Sequence, residues 1–258
     1  MNSLDRVVAI AHNTLREAIR NRVLYTLLFF ALALIGTGVL LATLSYVERQ
    51  RILQDVGFAA VRLFGVAIAI FVGIGLVHQE VDRRTVFTIL SKPISRGEFL
   101  LGKYLGLLAT LWLQIGVMAL CFAGVSALAG APVGARHAAA FAGIAAEVAV
   151  VVAIALVFSS FTTPMLASLF TAGTWMIGHL SRDLRALGAQ SELASARRAT
   201  ELLHRALPDL EAFDVTVRAV HQLPLTASDL LLPLAYGAGY VVIALLAAVW
   251  IFERRDFR

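Results

Sequence analysis

The sequence predicts an all-α membrane protein with six transmembrane helices, and three observations carry the prediction. Of its 258 residues, 59% are hydrophobic and 15% charged, with a mean hydropathy of +0.81. Soluble domains hold about 45–50% apolar and about 25% charged residues. Six runs approach the roughly 20 residues a helix needs to cross a bilayer. Many arginines gather at the ends of those runs and leave their middles nearly uncharged. A soluble core of this length cannot hide so much apolar surface, so the excess belongs in lipid.

The elements follow in chain order. Residues 4–20 read as an amphipathic helix, with Leu4, Val7, Val8, Ala11, Leu15, Ala18 and Ile19 on one face and Arg6, Asn13, Arg16, Glu17 and Arg20 on the other. Such a basic helix, running straight into a span, lies flat among lipid headgroups or serves as a topological anchor. The spans are read at 23–44, 57–78, 105–128, 138–161, 163–180 and 230–252. The fifth is the shortest and is rich in Thr, Gly and Ser. The sixth carries Pro233 in its first turn, where a missing N–H costs least.

Arginine placement puts both termini on the cytoplasmic side, although the stretch 181–229 also carries six arginines. That stretch reads as an external helical segment between the fifth and sixth spans. One helix over 193–207 ends at Pro208, and a shorter element over 210–223 closes at Pro224. Both are expected on the outer face.

Segment 79–103 is basic and has an architecture that a plain linker does not need. With Asp82 as N-cap, Val86, Ile89 and Leu90 share a helical face while Arg83, Arg84 and Thr88 point away. Lys92-Pro93 stops the pattern. Ser95-Arg-Gly-Glu98 is a capping box that starts the next helix. Two readings stand: a capped, solvated loop whose arginines hold topology, or a short helix that docks on a cytoplasmic partner.

Arg62 and Glu147 are the ionisable residues most clearly inside spans. Counted at about 1.5 Å per residue from the outer face, they lie roughly 7 Å and 14 Å deep. Charge in lipid is costly, so they face protein or water. Arginine is long enough for the two to meet. Glu147 then reads either as a packing and hydrogen-bonding residue or as a gating or pathway residue. His78 and His179, at span ends, read as snorkelling side chains. Gly102 and Gly106 form a GxxxG that permits close helix approach.

Several functions are excluded. One cysteine, Cys121, allows no intrachain disulfide or CxxC metal site. The pI of about 9.9 reflects topology, so no nucleic-acid partner is expected. Gly97–Lys103 matches much of a Walker A loop, but Tyr104 stands where the Mg²⁺-binding hydroxyl belongs and no strand precedes it. No HExxH, GxSxG or acidic cluster is present. No cofactor or metal is expected on this chain, and any ATP chemistry belongs to another polypeptide.

The residues REAIRNR (16–22), Glu80 after the second span, and TVFTILSKPISRGEFLLGKYLG (85–106) resemble the membrane subunits of type-2 ABC exporters. Within that group the chain looks most similar to permeases of the nitrous-oxide-reductase maturation type, which also carry a segment like LPDLEAFDVTVRAVHQLPL (207–225). The resemblance implies that residues 4–20 are the elbow helix. It implies that Asp82, Arg83, Arg84, Val86, Phe87, Ile89 and Leu90 belong to a coupling helix on a cytoplasmic ABC ATPase, with Glu80 before it and Arg96 after. It further implies a bacterial inner-membrane permease, paired with a second copy, with ATP and Mg²⁺ on the partner ATPase. Membrane lipids and a periplasmic partner at 181–229 complete the expected contacts. A secondary transporter working without an ATPase is the alternative, resting on Glu147. An integral membrane enzyme lacks an active-site cluster.

Overall fold

The computed structural model describes residues 2–44, 48–82, 95–131, 133–191 and 193–254, and for 77–82 the backbone. Nine α-helices appear among them: α1 (Ser3–Ile19), α2 (Arg22–Ala42), α3 (Arg49–Asp82), α4 (Arg96–Leu128), α5 (Ala135–Phe161), α6 (Pro164–Gln190), α7 (Ala194–Ala206), α8 (Thr216–Val220) and α9 (Ala227–Arg254). A 3₁₀ turn, Leu210–Phe213, lies between α7 and α8.

The bundle is built around α5. Every residue from Val148 to Leu156 is buried, as expected for a helix that is apolar on all sides. It packs against α3, α4, α6 and α9, while α2 lies along α3 and α1 along α4. The outer helices turn large apolar groups outward: Tyr25, Phe29 and Phe30 on α2, and Leu232, Ile243, Leu246 and Trp250 on α9. A continuous surface of that kind is what lipid covers.

Five helices are long and apolar enough to cross a membrane: α2, α3, α4, α5 and α9. The fifth expected span, 163–180, falls in α6, which is 27 residues long and is not one of these five. Its apolar half is diluted by Thr, Gly, Ser and His179, and it does not reach the same hydropathy. The bundle has two ends. One holds α1, the start of α4 and the last described turns of α3 and α9; the far end holds the C-terminus of α4, the N-terminus of α5 and residues 193–226.

Two expected boundaries are corrected. Helix α6 continues to Gln190, ten residues into the stretch read as external. The element expected on the outer face over 210–223 instead folds back into the bundle, with Leu210 and Phe213 buried. Glycines make the recess. A Cβ on Gly178 would lie 2.9 Å from Leu210 and from the Pro208 carbonyl, and one on Gly237 would lie 2.8 Å from the Phe213 ring. Gly143 on α5 likewise leaves space that the Phe213 carbonyl takes. The pull on Leu210 and Phe213 is ordinary apolar burial, about 1.5–3 kcal/mol for each side chain.

Candidate functional site

The polar centre of the molecule is built by four elements. Arg62 of α3 reaches Glu147 of α5, Nε to Oε2 at 3.3 Å, and its Nη1 donates to Asp214, the residue after the 3₁₀ turn. Glu147 is fully buried. Its Oε1 accepts from Trp175 Nε1 at 2.7 Å and from His179 Nε2 at 2.8 Å, both on α6. The two rings meet edge to face, 5.2 Å between centroids. Asp214 Oδ1 accepts from the Thr216 N–H at 3.0 Å and from the Thr216 hydroxyl. One arginine thus bridges two carboxylates that belong to different parts of the chain.

Asp214 lies outside the spans. Burial alone would raise its pKa, but the hydrogen bond and charge of Arg62, with help from Thr216, lower it from 3.8 to about 2. The folded state therefore binds this proton less tightly than the unfolded chain does. Its contribution to stability is complete above pH ~4 and fades as pH falls towards about 2. In acid melts of the purified protein, the gap between wild type and Asp214→Asn is expected to be widest above pH ~4 and to close near pH 2. A gap that stays constant over that range would show that Asp214 does not titrate with the fold.

The second cluster sits where α4 begins. Ser95 and Glu98 form the capping box: the Ser95 hydroxyl accepts from the Glu98 N–H at 3.2 Å, and Glu98 Oε2 accepts from the Ser95 N–H at 3.0 Å. The other oxygen of Glu98 accepts from Arg6 of α1 at 2.6 Å. Arg96 Nη1 donates to the carbonyls of Phe252 and Glu253 at 2.8 and 2.9 Å. Both carbonyls belong to α9, so this one guanidinium fastens the start of α4 to that helix. Lys103, 1% exposed, lies 3.6 Å from Glu17 of α1.

The GxxxG motif explains how α1 comes so close. A Cβ on Gly102 would lie 2.6 Å from the Ile10 Cβ, and one on Gly106 would lie 2.5 Å from the Ala11 carbonyl. Helix α1 therefore packs on α4 through Ile10, Ala11 and Thr14, while Leu4 and Val8 of its apolar face stay exposed. It is a docked helix as well as an amphipathic one.

Of the residues predicted for the site, Arg62 and Glu147 are brought together, and Arg96 is placed on the end of α9. Arg83, Arg84, Val86, Phe87, Ile89 and Leu90 lie outside the described residues. Glu80 and Asp82 are described by backbone alone, and both are helical, within α3. Sequence reasoning missed Asp214 and the Trp175 and His179 contacts. His179 is bound to Glu147, which corrects its reading as a snorkelling side chain. A signal for Asp214 existed: it is a lone acid in the apolar run from Ala212 to Val217.

The Walker-like residues lie within α4, and Lys103 is turned to Glu17, so the stretch forms no phosphate loop. Among the described residues, no group of three His, Cys, Asp or Glu is placed to hold a metal ion.

Long apolar helices around a closed polar core define a multi-pass membrane protein. The model of the family described as ABC-2 family transporter protein matches residues 8–257, and the chain belongs to that family. It is therefore an ABC-type membrane transport subunit, of a kind that pairs with a cytoplasmic ATPase. No curated protein matches the chain.

Proposed function

We propose that this chain is the permease subunit of an ABC exporter or mechanotransmitter of the nitrous-oxide-reductase maturation type, working as a dimer in a bacterial inner membrane. Its termini are cytoplasmic and α6 completes six spans. ATP and Mg²⁺ are bound by a separate ATPase, which grips segment 83–94 between α3 and α4. The observation that supports this reading is the junction at the start of α4. There Arg96 holds the end of α9, while Glu98 and Lys103 hold α1. A push delivered to this point cannot stay local, because two other helices, α1 and α9, are fastened to it.

Coupling requires that the partner's ATP-bound and ATP-free states bind this chain with different energy. Apolar Val86, Phe87, Ile89 and Leu90, flanked by Arg83 and Arg84, supply the docking chemistry, with Glu80 as the acidic group beside them. In proteoliposomes containing the chain and its ATPase, Glu80→Ala and Leu90→Asp are expected to cut the response of ATP hydrolysis to this chain about tenfold, a loss of about 1.4 kcal/mol of coupling. The folded permease should be recovered in normal yield. Wild-type coupling in both variants would overturn the reading.

A further inference from the structure

We propose that residues 207–225 are an output arm whose position is set by α3 through Arg62, so that movement of α3 is felt at the far end of the bundle. The proposal rests on the coupling reading above and adds the element that delivers the motion.

Helix α3 is the transmitting rod. It is unbroken from Arg49 to Asp82 and contains no proline, the commonest cause of a kink. From Arg62 to Asp82 it spans 20 residues, about 30 Å at 1.5 Å per residue. Displacement at Asp82, which adjoins segment 83–94 in the chain, is therefore carried to Arg62.

Arg62 holds two carboxylates that are not equally free to let go. Glu147 is 0% exposed and is fixed by Trp175 and His179. Left without the arginine, it loses its permanently charged partner in a place that water does not reach. Asp214 is 22% exposed and keeps its hydrogen bonds from Thr216, so water can replace the lost partner. When α3 turns or slides, the Arg62–Asp214 bond is the one that breaks. The arm carries Asp214, and Arg62 is its hydrogen-bonded ionic tie to α3, beside the packing of α8 on the same helix.

The arm is built to move as a unit. Pro208 and Pro224 bracket it, and it rests on bare glycine surfaces of α5, α6 and α9. Gln222, near its end, has φ 54°, a conformation few residues other than glycine adopt. Its other ion pairs, Arg182 with Asp209 and Glu211 and Arg218 with Asp229, are about half exposed on the arginine side. Pairs of that kind constrain little.

The test uses the complex with the cytoplasmic ATPase in nanodiscs, and spin-label distances on a Cys121→Ser background. Val217→Cys with Leu128→Cys reads the arm against the end of α4; Leu101→Cys with Met165→Cys reads the other end of the bundle. All four positions are exposed. On adding ATP with hydrolysis blocked, both distances are expected to shift by several ångström. Arg62→Gln and the milder Asp214→Asn should each abolish the first shift and retain the second. A first pair that stays still while the second moves overturns the arm and leaves the coupling reading standing. A first pair that still moves fully in both variants overturns the role of Arg62. If neither pair moves in the wild type, the coupling reading fails and the arm fails with it.

Discussion

Replacing Glu147 by alanine is expected to destabilise the protein by about 3–5 kcal/mol, the cost of removing one partner from a buried ion pair. The side chain has no exposure and serves three groups at once: Arg62, Trp175 and His179. Its loss strands the indole N–H and the imidazole N–H and leaves Arg62 with Asp214 alone. Glu147→Gln keeps an oxygen for Trp175 and His179 but turns a donor or a neutral group towards Arg62. It is expected to cost less, about 1–3 kcal/mol. Thermal unfolding in detergent should show the order wild type, Gln, Ala, with the alanine variant lower in Tm by on the order of 10 °C. Equal Tm values for all three proteins would mean that the cluster does not hold the bundle together.

Gly106→Val is expected to lift α1 from α4. The new Cβ would lie 2.5 Å from the Ala11 carbonyl and 2.6 Å from Thr14, both in the docked helix, so α1 must shift or leave. Overpacking of this kind costs about 1–3 kcal/mol. The same substitution at Gly116, ten residues along α4 with nothing within 4 Å of its Cβ position, is the matched control. Ala18 is fully buried in the wild type. With Cys121→Ser as background, a cysteine at position 18 should therefore label slowly in the wild type and in Gly116→Val, and quickly in Gly106→Val. Hydrogen exchange over 3–19 should rise in that variant alone. Slow labelling in Gly106→Val would show that α1 tolerates the added side chain and is not held by the glycine pair.

The comparison of sequence with structure divides by the kind of physics involved. Spans such as 23–44 and 138–161 were legible because apolar length alone identifies them. The capping box at Ser95 and Glu98 was legible because it is local, closing over four residues. Arg62 and Glu147 stood out because charge is rare in such surroundings. Their third partner did not, since Asp214 lies 152 residues from Arg62 in a stretch whose polarity suggested solvent. The inward fold of 210–220 depended on Gly143, Gly178 and Gly237, three glycines on three helices that no local pattern connects. Likewise, Gly102 and Gly106 announced a close contact but not its partner. The tilt of α1 onto α4 is a tertiary choice, made by Glu17, Arg6 and the two bare positions together.

The grip of Arg96 on the last turn of α9 has a practical side. Helices α1 and α9 converge on the first two turns of α4, since Arg6 and Glu17 are fastened there as well. A rigid fusion placed directly before Ser3, or a truncation that removes Phe252 and Glu253, would disturb the same spot from opposite termini. Anything attached near Ser3 or near Glu253 therefore needs a long, soft tether, and loss of the Phe252 and Glu253 carbonyls should mimic damage to α1.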